Sequence, residues 1–170
     1  MDVRHFLQRQ SGVTMIESLV AVLVISIGLM GIAGLHLSGL RDTAEAEYYS
    51  RAIFLANELV ERIRSNRSTS ALNAYSAALE EPANATSQEC RLPTANCTPA
   101  ELAQDDVAEW YALLRSASSG LPPPDDPLSR VIAIINDPSS SDIWNISIRI
   151  NWQLRETYNY TVQTQIFGGS

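Results

Sequence analysis

The fold of this chain is decided by the stretch SGVTMIESLVAVLVISIGLMGIAGLHLSGL, residues 11–40. Ser18 to Leu40 contain no Asp, Glu, Lys or Arg, and an apolar run of at least about 18 residues predicts a membrane-spanning helix. At ~1.5 Å per residue, a helix over residues 13–40 reaches about 42 Å and can cross a ~30 Å hydrocarbon core. Arg4 and Arg9 precede the run, so the positive-inside tendency keeps the N-terminus in the cytoplasm and places the remainder outside it.

Glu17 lies one turn inside this apolar segment. An ionised carboxylate at such a depth costs about 2.5–3.5 kcal/mol even on the lenient insertion scale. A charge in that position needs a partner and is a functional hypothesis by default. The alternative is that Glu17 lies at headgroup depth, where it snorkels or is protonated.

The order of a short basic leader, Gly12-Val13-Thr14-Met15-Ile16-Glu17 and a long apolar helix resembles the signal of type IV prepilins and pseudopilins. The resemblance implies that a prepilin peptidase cuts after Gly12 and methylates the new amine of Val13. It also implies that Glu17 pairs with the N-terminal amine of a neighbouring subunit during filament assembly. The chain departs from the usual pattern at Val13, where the family has Phe, and at Met15, where Leu is common.

A conventional secretory signal is the competing interpretation of the N-terminus. Gly31-Ile32-Ala33 offers small residues for cleavage after the apolar region. This interpretation leaves Glu17 without a role, and the apolar segment continues past Ala33 to Leu40.

The composition excludes several function classes. The chain has a net charge of −7 and no Lys, which argues against a nucleic-acid binder because phosphate contacts need clustered cations. Removal of residues 1–12 leaves His36 as the single histidine, so the usual general bases are scarce. There is no GxSxG, P-loop or dinucleotide fingerprint. The sequence predicts neither an enzyme nor a cofactor.

Two cysteines, Cys90 and Cys97, fall on the side of the membrane where disulfides persist, so we expect them to form a structural disulfide. Free buried thiols and a metal site are the alternatives. A metal site lacks companion ligands, because His36 lies in or beside the membrane helix. No metal is therefore expected.

The first helix should continue beyond the membrane. Residues 42–67 contain no Gly or Pro, and Glu58 and Arg62 form a favourable i, i+4 pair. An apolar stripe recurs at spacings of three and four: Ala52, Leu55, Ala56, Leu59, Val60 and Ile63. One helix of about fifty residues is predicted, which matches the α1 spine of a pilin. The predicted parts are a leader at 1–12, a membrane half of the helix at 13–40, its soluble half at 41–67, and a globular domain at 68–170.

A short helix is predicted around Ala71–Glu80 within a polar stretch, and a second one begins at Thr98, where Pro99 and Glu101 complete a capping box. Its apolar stripe comprises Ala103, Val107, Trp110, Leu114 and Ala117. Asp105, Asp106 and Glu109 are expected on its solvated face, with a carboxylate metal cluster as the less favoured alternative.

Strands are predicted at the C-terminal end. Residues 130–136 form a short apolar run, and residues 146–154 and 158–166 alternate apolar with polar side chains around a turn at 155–157. They predict an antiparallel sheet with one face on the long helix. The expected class is α+β and pilin-like.

The order of cysteine, a helix with Asp-x-x-x-Trp, and Leu121-Pro122 ahead of a strand resembles PilV-type minor pilins, which usually have glycines where Pro123 and Pro124 stand. The resemblance implies a minor type IV pilin that primes pilus assembly at or near the tip and supports twitching motility and adhesion. The expected partners are prepilin peptidase, other minor pilins and the major pilin, with a tip adhesin as a further candidate. The chain would reside in the inner membrane with a periplasmic domain, then in the surface pilus. The alternatives are a minor pseudopilin of type II secretion and a membrane-anchored periplasmic binding module.

Overall fold

The computed structural model describes residues 14–92, 95–124, 131–136 and 142–169. Its helices are α1 (Met15–Ser65), α2 (Thr69–Glu80) and α3 (Pro99–Arg115), with short 3-10 turns at Pro82–Asn84 and Ala117–Ser119. Its strands are β1 (Val131–Asn136), β2 (Ile143–Gln153) and β3 (Thr157–Phe167). The predicted α+β class is confirmed, as is a single first helix of about fifty residues. The chain divides into two compact units, and the boundary between them in the sequence falls within α1, between Ala44 and Glu45.

In the first unit, α1 is apolar on every side. Its large apolar side chains between Met15 and Leu40 are 52–88% exposed. Among the described residues, α1 is the one helix long and apolar enough to cross a membrane. Such a surface requires cover from lipid or protein, because contiguous apolar area on this scale is not stable in water.

In the second unit, the predicted apolar stripe of α1 faces the core. The side chains from Ala52 to Ile63 that form this stripe are at most 3% exposed. The stripe packs near the buried face of the sheet, and the ring of Tyr49 meets that of Trp152 edge-on at 4.9 Å. The hydrophobic periodicity of α1 is thus satisfied by burial, which amounts to about 1.5–3 kcal/mol for each large side chain.

The caps of α2 and α3 explain where these helices begin. The Ser68 hydroxyl accepts a hydrogen bond from the Ala71 amide, and the predicted capping box of Thr98 and Glu101 is present. Helix α3 ends at Arg115, so Ala117, predicted on its apolar stripe, lies in a 3-10 turn instead. That turn ends at Gly120, whose φ of 66° is the left-handed conformation that glycine adopts without strain.

The sheet is antiparallel, in the order β1-β2-β3. Its alternation is as predicted along β2, where Ile146, Ile148 and Ile150 are buried. The strand stops at Gln153, however, and Leu154, predicted as an inward residue of the strand, belongs to the turn. There the Leu154 amide donates to the Glu156 carbonyl at 3.1 Å, which starts the reversal one residue earlier than the pattern indicates.

Candidate assembly site

Glu17 occupies the first turn of α1. The Thr14 carbonyl accepts hydrogen bonds from the amides of Glu17 and Ser18, at 3.0 and 3.2 Å, and so begins the helical pattern. The Glu17 side chain is exposed among exposed apolar neighbours. Between Met15 and Leu40, Glu17 is therefore a single carboxylate in an otherwise uncharged helical surface. Gly12 and Val13, the predicted cleavage and methylation residues, lie outside the described residues.

In the second unit, an ion-pair cluster joins α1 to α3. Arg62 of α1 lies between its predicted helical partner Glu58, at 2.7 Å, and two carboxylates of α3. Its Nη1 is 3.2 Å from Asp106 Oδ1 and 3.3 Å from Glu109 Oε2. Arg91 reaches the same two carboxylates from the preceding loop, at 3.4 and 2.8 Å. The cluster therefore fixes two helices and a loop with charge-assisted contacts.

Burial and neighbouring charges shift the pKa values of Arg62 and Tyr75 in this cluster. Burial opposes the charge of Arg62, but the hydrogen bonds and charges of Glu58, Glu109 and Asp106 outweigh it and raise the pKa of the guanidinium. Tyr75 of α2 donates its hydroxyl proton to Asp106 Oδ2 at 2.6 Å. Burial, followed by this bond to a carboxylate, raises the pKa of Tyr75 well above its usual range. Tyr75 stays neutral and Arg62 charged at any physiological pH.

The prediction that Asp105 and Asp106 lie on a solvated face is wrong. Asp105 is fully buried and Asp106 is 6% exposed. Both carboxylates accept hydrogen bonds from segments outside α3. The spacing of residues within α3 does not reveal these contacts. Helical spacing alone indicates the burial of Asp106. It lies three residues after Ala103 and four before Trp110, and so it shares their buried face of α3. Within the described residues, no three potential metal ligands form a cluster.

Asp105 acts as an internal anion that organises the loop before α3. Its Oδ1 accepts the Ser87 hydroxyl at 2.8 Å and the amides of Gln88 and Glu89 at 2.7 and 3.1 Å. Its Oδ2 accepts the Cys90 amide at 3.1 Å. Glu89 has a φ of 51°, which lets consecutive amides converge in a concave anion-binding nest. Burial opposes the charge, but these four donors prevail and lower the pKa of Asp105.

The disulfide between Cys90 and Cys97 is present, with its sulfur atoms 2.07 Å apart. Cys90 is anchored by Asp105, and Cys97 immediately precedes the N-cap residue Thr98. The bond therefore closes a short loop whose two ends are both fixed to the first two turns of α3. By restricting the unfolded chain, a loop of this length contributes about 2–3 kcal/mol.

Removing Arg62 tests the ion-pair cluster. We expect Arg62→Ala to lower the free energy of unfolding by about 2 kcal/mol, because Asp106 is left buried with fewer compensating charges. Urea unfolding of the full chain in detergent micelles, followed by near-UV circular dichroism, measures this change. The matched control is Arg64→Ala on the same helix, whose exposed pairing with Glu61 predicts a loss below about 0.5 kcal/mol. Equal losses in the two variants would contradict the role of the cluster.

Comparisons with known families agree with this architecture. Residues 7–33 match the model of the prokaryotic N-terminal methylation motif, which includes Glu17. Residues 34–108 match the family model described as Tt1218-like, type IV pilin Tt1218. The second match runs from the apolar part of α1 through α2 and the disulfide loop into α3, and it includes Asp105 and Asp106. The comparison with curated proteins finds no match, and neither does the comparison with solved structures.

The apolar first helix, the methylation motif and the α+β domain define a prepilin-type filament protein. Over residues 34–108 the chain is similar to the Tt1218-like family of type IV pilins, and residues 7–33 carry the methylation motif of the same class of protein. This class is structural, so the prediction that the chain is not an enzyme is confirmed. The methylation motif implies processing by prepilin peptidase and assembly with other pilins.

Proposed function

We propose that this chain is a minor type IV pilin of the PilV type, which primes pilus assembly and is incorporated at or near the pilus tip. One observation carries the part of the proposal that concerns assembly into a filament. Glu17 is an exposed carboxylate in the first turn of a helix whose large apolar side chains are exposed, within a matched methylation motif. A helix surface of this kind is covered by lipid in the inner membrane and by neighbouring helices in a filament.

Processing supplies the partner for Glu17. Hydrolysis of the bond between Gly12 and Val13 frees the α-amine of Val13. A methyl group is then transferred to that amine from a sulfonium methyl donor, which leaves as a thioether while the amine gives up one proton. In an assembled filament, the cationic amine of one subunit neutralises the Glu17 carboxylate of its neighbour. The pairing removes the cost of an isolated charge in an apolar environment, about 2.5–3.5 kcal/mol, and penalises any register that leaves the carboxylate unpaired.

The minor-pilin assignment is supported by the order of Cys97, helix α3 and Leu121-Pro122, within a chain that carries the disulfide between Cys90 and Cys97. Its partners are then other minor pilins and the major pilin, with a tip adhesin as a further partner. The domain faces the periplasm before assembly and the cell surface afterwards. Through the filament, the chain supports twitching motility and adhesion.

Glu17→Ala tests the assembly role. We expect leader removal to remain largely intact and the amount of chain in sheared, purified pili to fall at least tenfold, since the carboxylate is needed for registration rather than for cleavage. Immunoblots of membrane and pilus fractions measure both quantities. Glu61→Ala, which removes an exposed carboxylate from the soluble part of the same helix, is the control and should enter pili normally. Normal incorporation of Glu17→Ala would contradict the role of Glu17.

The pseudopilin alternative shares the N-terminal features and differs in the process it serves. Deletion of a minor pilin reduces surface pili and twitching and leaves type II secretion intact, whereas deletion of a pseudopilin has the reverse effect. We expect the first result. Loss of secretion with normal piliation would assign the chain to the secretion apparatus.

A further inference from the structure

The outer edge of β3 lacks the features that usually protect an edge strand. Within the part of the chain that the structure describes, β3 is the last strand of the sheet and pairs only with β2. Residues Thr157–Phe167 include no charged residue, no Pro and no Gly over eleven positions. Natural proteins block such edges with charges, prolines, bulges or covering segments, because an open row of backbone groups templates pairing with another strand.

The opposite edge of the sheet, which β1 forms, is short and lies against a helix. Strand β1 has only six residues and lies beside α2. There Ser76 of α2 donates its hydroxyl proton to the backbone carbonyl of Ile135 at 3.2 Å. The end of β3 is also closed, since Gly169 donates to the Arg67 carbonyl at 2.9 Å and accepts from the Thr69 amide at 3.3 Å. The open part of the sheet is therefore confined to Thr157–Phe167.

The hydrophobic layer is also incomplete along this edge. Ile148, Ile150 and Trp152 of β2 are fully buried. Their cross-strand partners Val162, Tyr160 and Tyr158 face the same core but are only half-buried. One further strand beside β3 would cover these three side chains with its own apolar residues, while its polar residues would lie beside Asn159, Gln163 and Gln165 on the outer face.

We infer that β3 receives a strand from a different protein chain of the pilin assembly, an extended segment with alternating apolar and polar side chains that adds to the sheet as a fourth strand. Backbone hydrogen bonds provide the affinity, and the half-buried side chains of Tyr158, Tyr160 and Val162 select the apolar residues of the added strand, as in other cases of strand addition. The choice of a pilin-assembly partner rests on the proposed function, whereas the open edge itself does not.

A second copy of this chain does not fit the edge. Antiparallel pairing of two β3 strands reverses one domain. Because Tyr49 lies beside Tyr158 at the start of β3, the beginnings of the two second units would lie at opposite ends of the dimer. If two copies of β3 paired in parallel about a two-fold axis, the N–H groups of one strand would face the N–H groups of the other instead of its carbonyls. Pairing of β3 with β1 of a second copy meets the edge beside α2, where Ser76 already binds Ile135. A strand from another protein avoids all three conflicts.

Site-specific photocrosslinking in intact cells tests this inference on the full chain. A benzophenone-bearing amino acid is placed at Gln165, exposed on β3, and in a separate control at Ser147, on the outer face of the central strand β2. We expect an adduct from position 165 whose linked peptide, identified by mass spectrometry, comes from another protein of the pilin assembly and has alternating apolar and polar residues. A peptide from an unrelated protein would overturn the inference. The adduct from position 147 should be at least tenfold weaker.

A second variant separates strand pairing from simple proximity. Asn159→Lys combined with Gln163→Lys places edge charges on exposed positions, and the adduct from position 165 should fall at least tenfold while near-UV circular dichroism of the purified chain is unchanged. Absence of an adduct, a peptide linked from β3 of a second copy, or an adduct insensitive to the lysines would overturn the inference. Because crosslinking is scored in whole cells, it succeeds or fails independently of whether Glu17→Ala alters pilus incorporation.

Discussion

Trp110→Ala is expected to lower the free energy of unfolding by about 4 kcal/mol. Trp110 is fully buried on α3, and its indole N–H donates to the Leu55 carbonyl of α1 at 2.8 Å. Truncation leaves a cavity between these helices and removes one direct link between them. Urea unfolding of the full chain in detergent micelles, followed by near-UV circular dichroism, measures the loss.

Trp110→Phe is the matched variant, because it keeps most of the ring volume and removes the N–H donor. We expect it to cost about 1–2 kcal/mol, which separates the hydrogen bond from the packing. If Trp110→Ala destabilised the chain no more than Trp110→Phe, packing between α3 and α1 would not be the main contribution of this side chain.

Asp105→Ala is expected to cost about 3 kcal/mol, since the hydroxyl of Ser87 and three consecutive amides lose their acceptor at once. Asp105→Asn retains one acceptor oxygen but turns an amino group toward donors, so an intermediate loss is expected. The same unfolding measurement applies. In both variants the rate at which a mild reductant opens the disulfide between Cys90 and Cys97 should rise, because the Cys90 end of the loop is released. An unchanged rate would show that Asp105 does not hold this loop.

The pH dependence of stability follows from the same carboxylate. The pKa of Asp105 in the folded state is lowered below the ordinary value of about 3.9. Its contribution to the free energy of unfolding is therefore fully present above that ordinary value and is lost as the pH falls through the lowered pKa. Wild type should therefore lose more stability below about pH 4 than Asp105→Asn does. Unfolding free energies measured between about pH 5 and 3 test this, and equal acid losses in the two proteins would contradict it.

Local patterns in the sequence predicted the long first helix, the capping box of α3 and most of the sheet. Each depends on residues close together in the chain: the stripe from Ala52 to Ile63, the Thr98 and Glu101 pair, and the alternation along β2. Such signals persist in the fold because periodicity and capping act within a few residues. The same locality explains why the Glu58 and Arg62 pair was predicted and is present.

What the sequence did not reveal depends on contacts between distant segments. Asp105 and Asp106 have the composition of a solvated face, and their burial requires the amides of residues 88–90, Tyr75 of α2 and Arg62 of α1. These donors are 15 or more residues away in the chain. The open edge of β3 likewise becomes apparent only when the strand order and the closure of β1 by α2 are known.

The N-terminal sequence and mass of the chain, isolated from membranes of cells with and without prepilin peptidase, test the central claim most directly. We predict a peptidase-dependent product that begins at methylated Val13, which creates the amine needed by Glu17. A product that begins at Met1 in both strains would make the chain an ordinary anchored protein. A product that begins at Gly34 would make it a conventionally secreted one, and either result would contradict the assembly role assigned to Glu17.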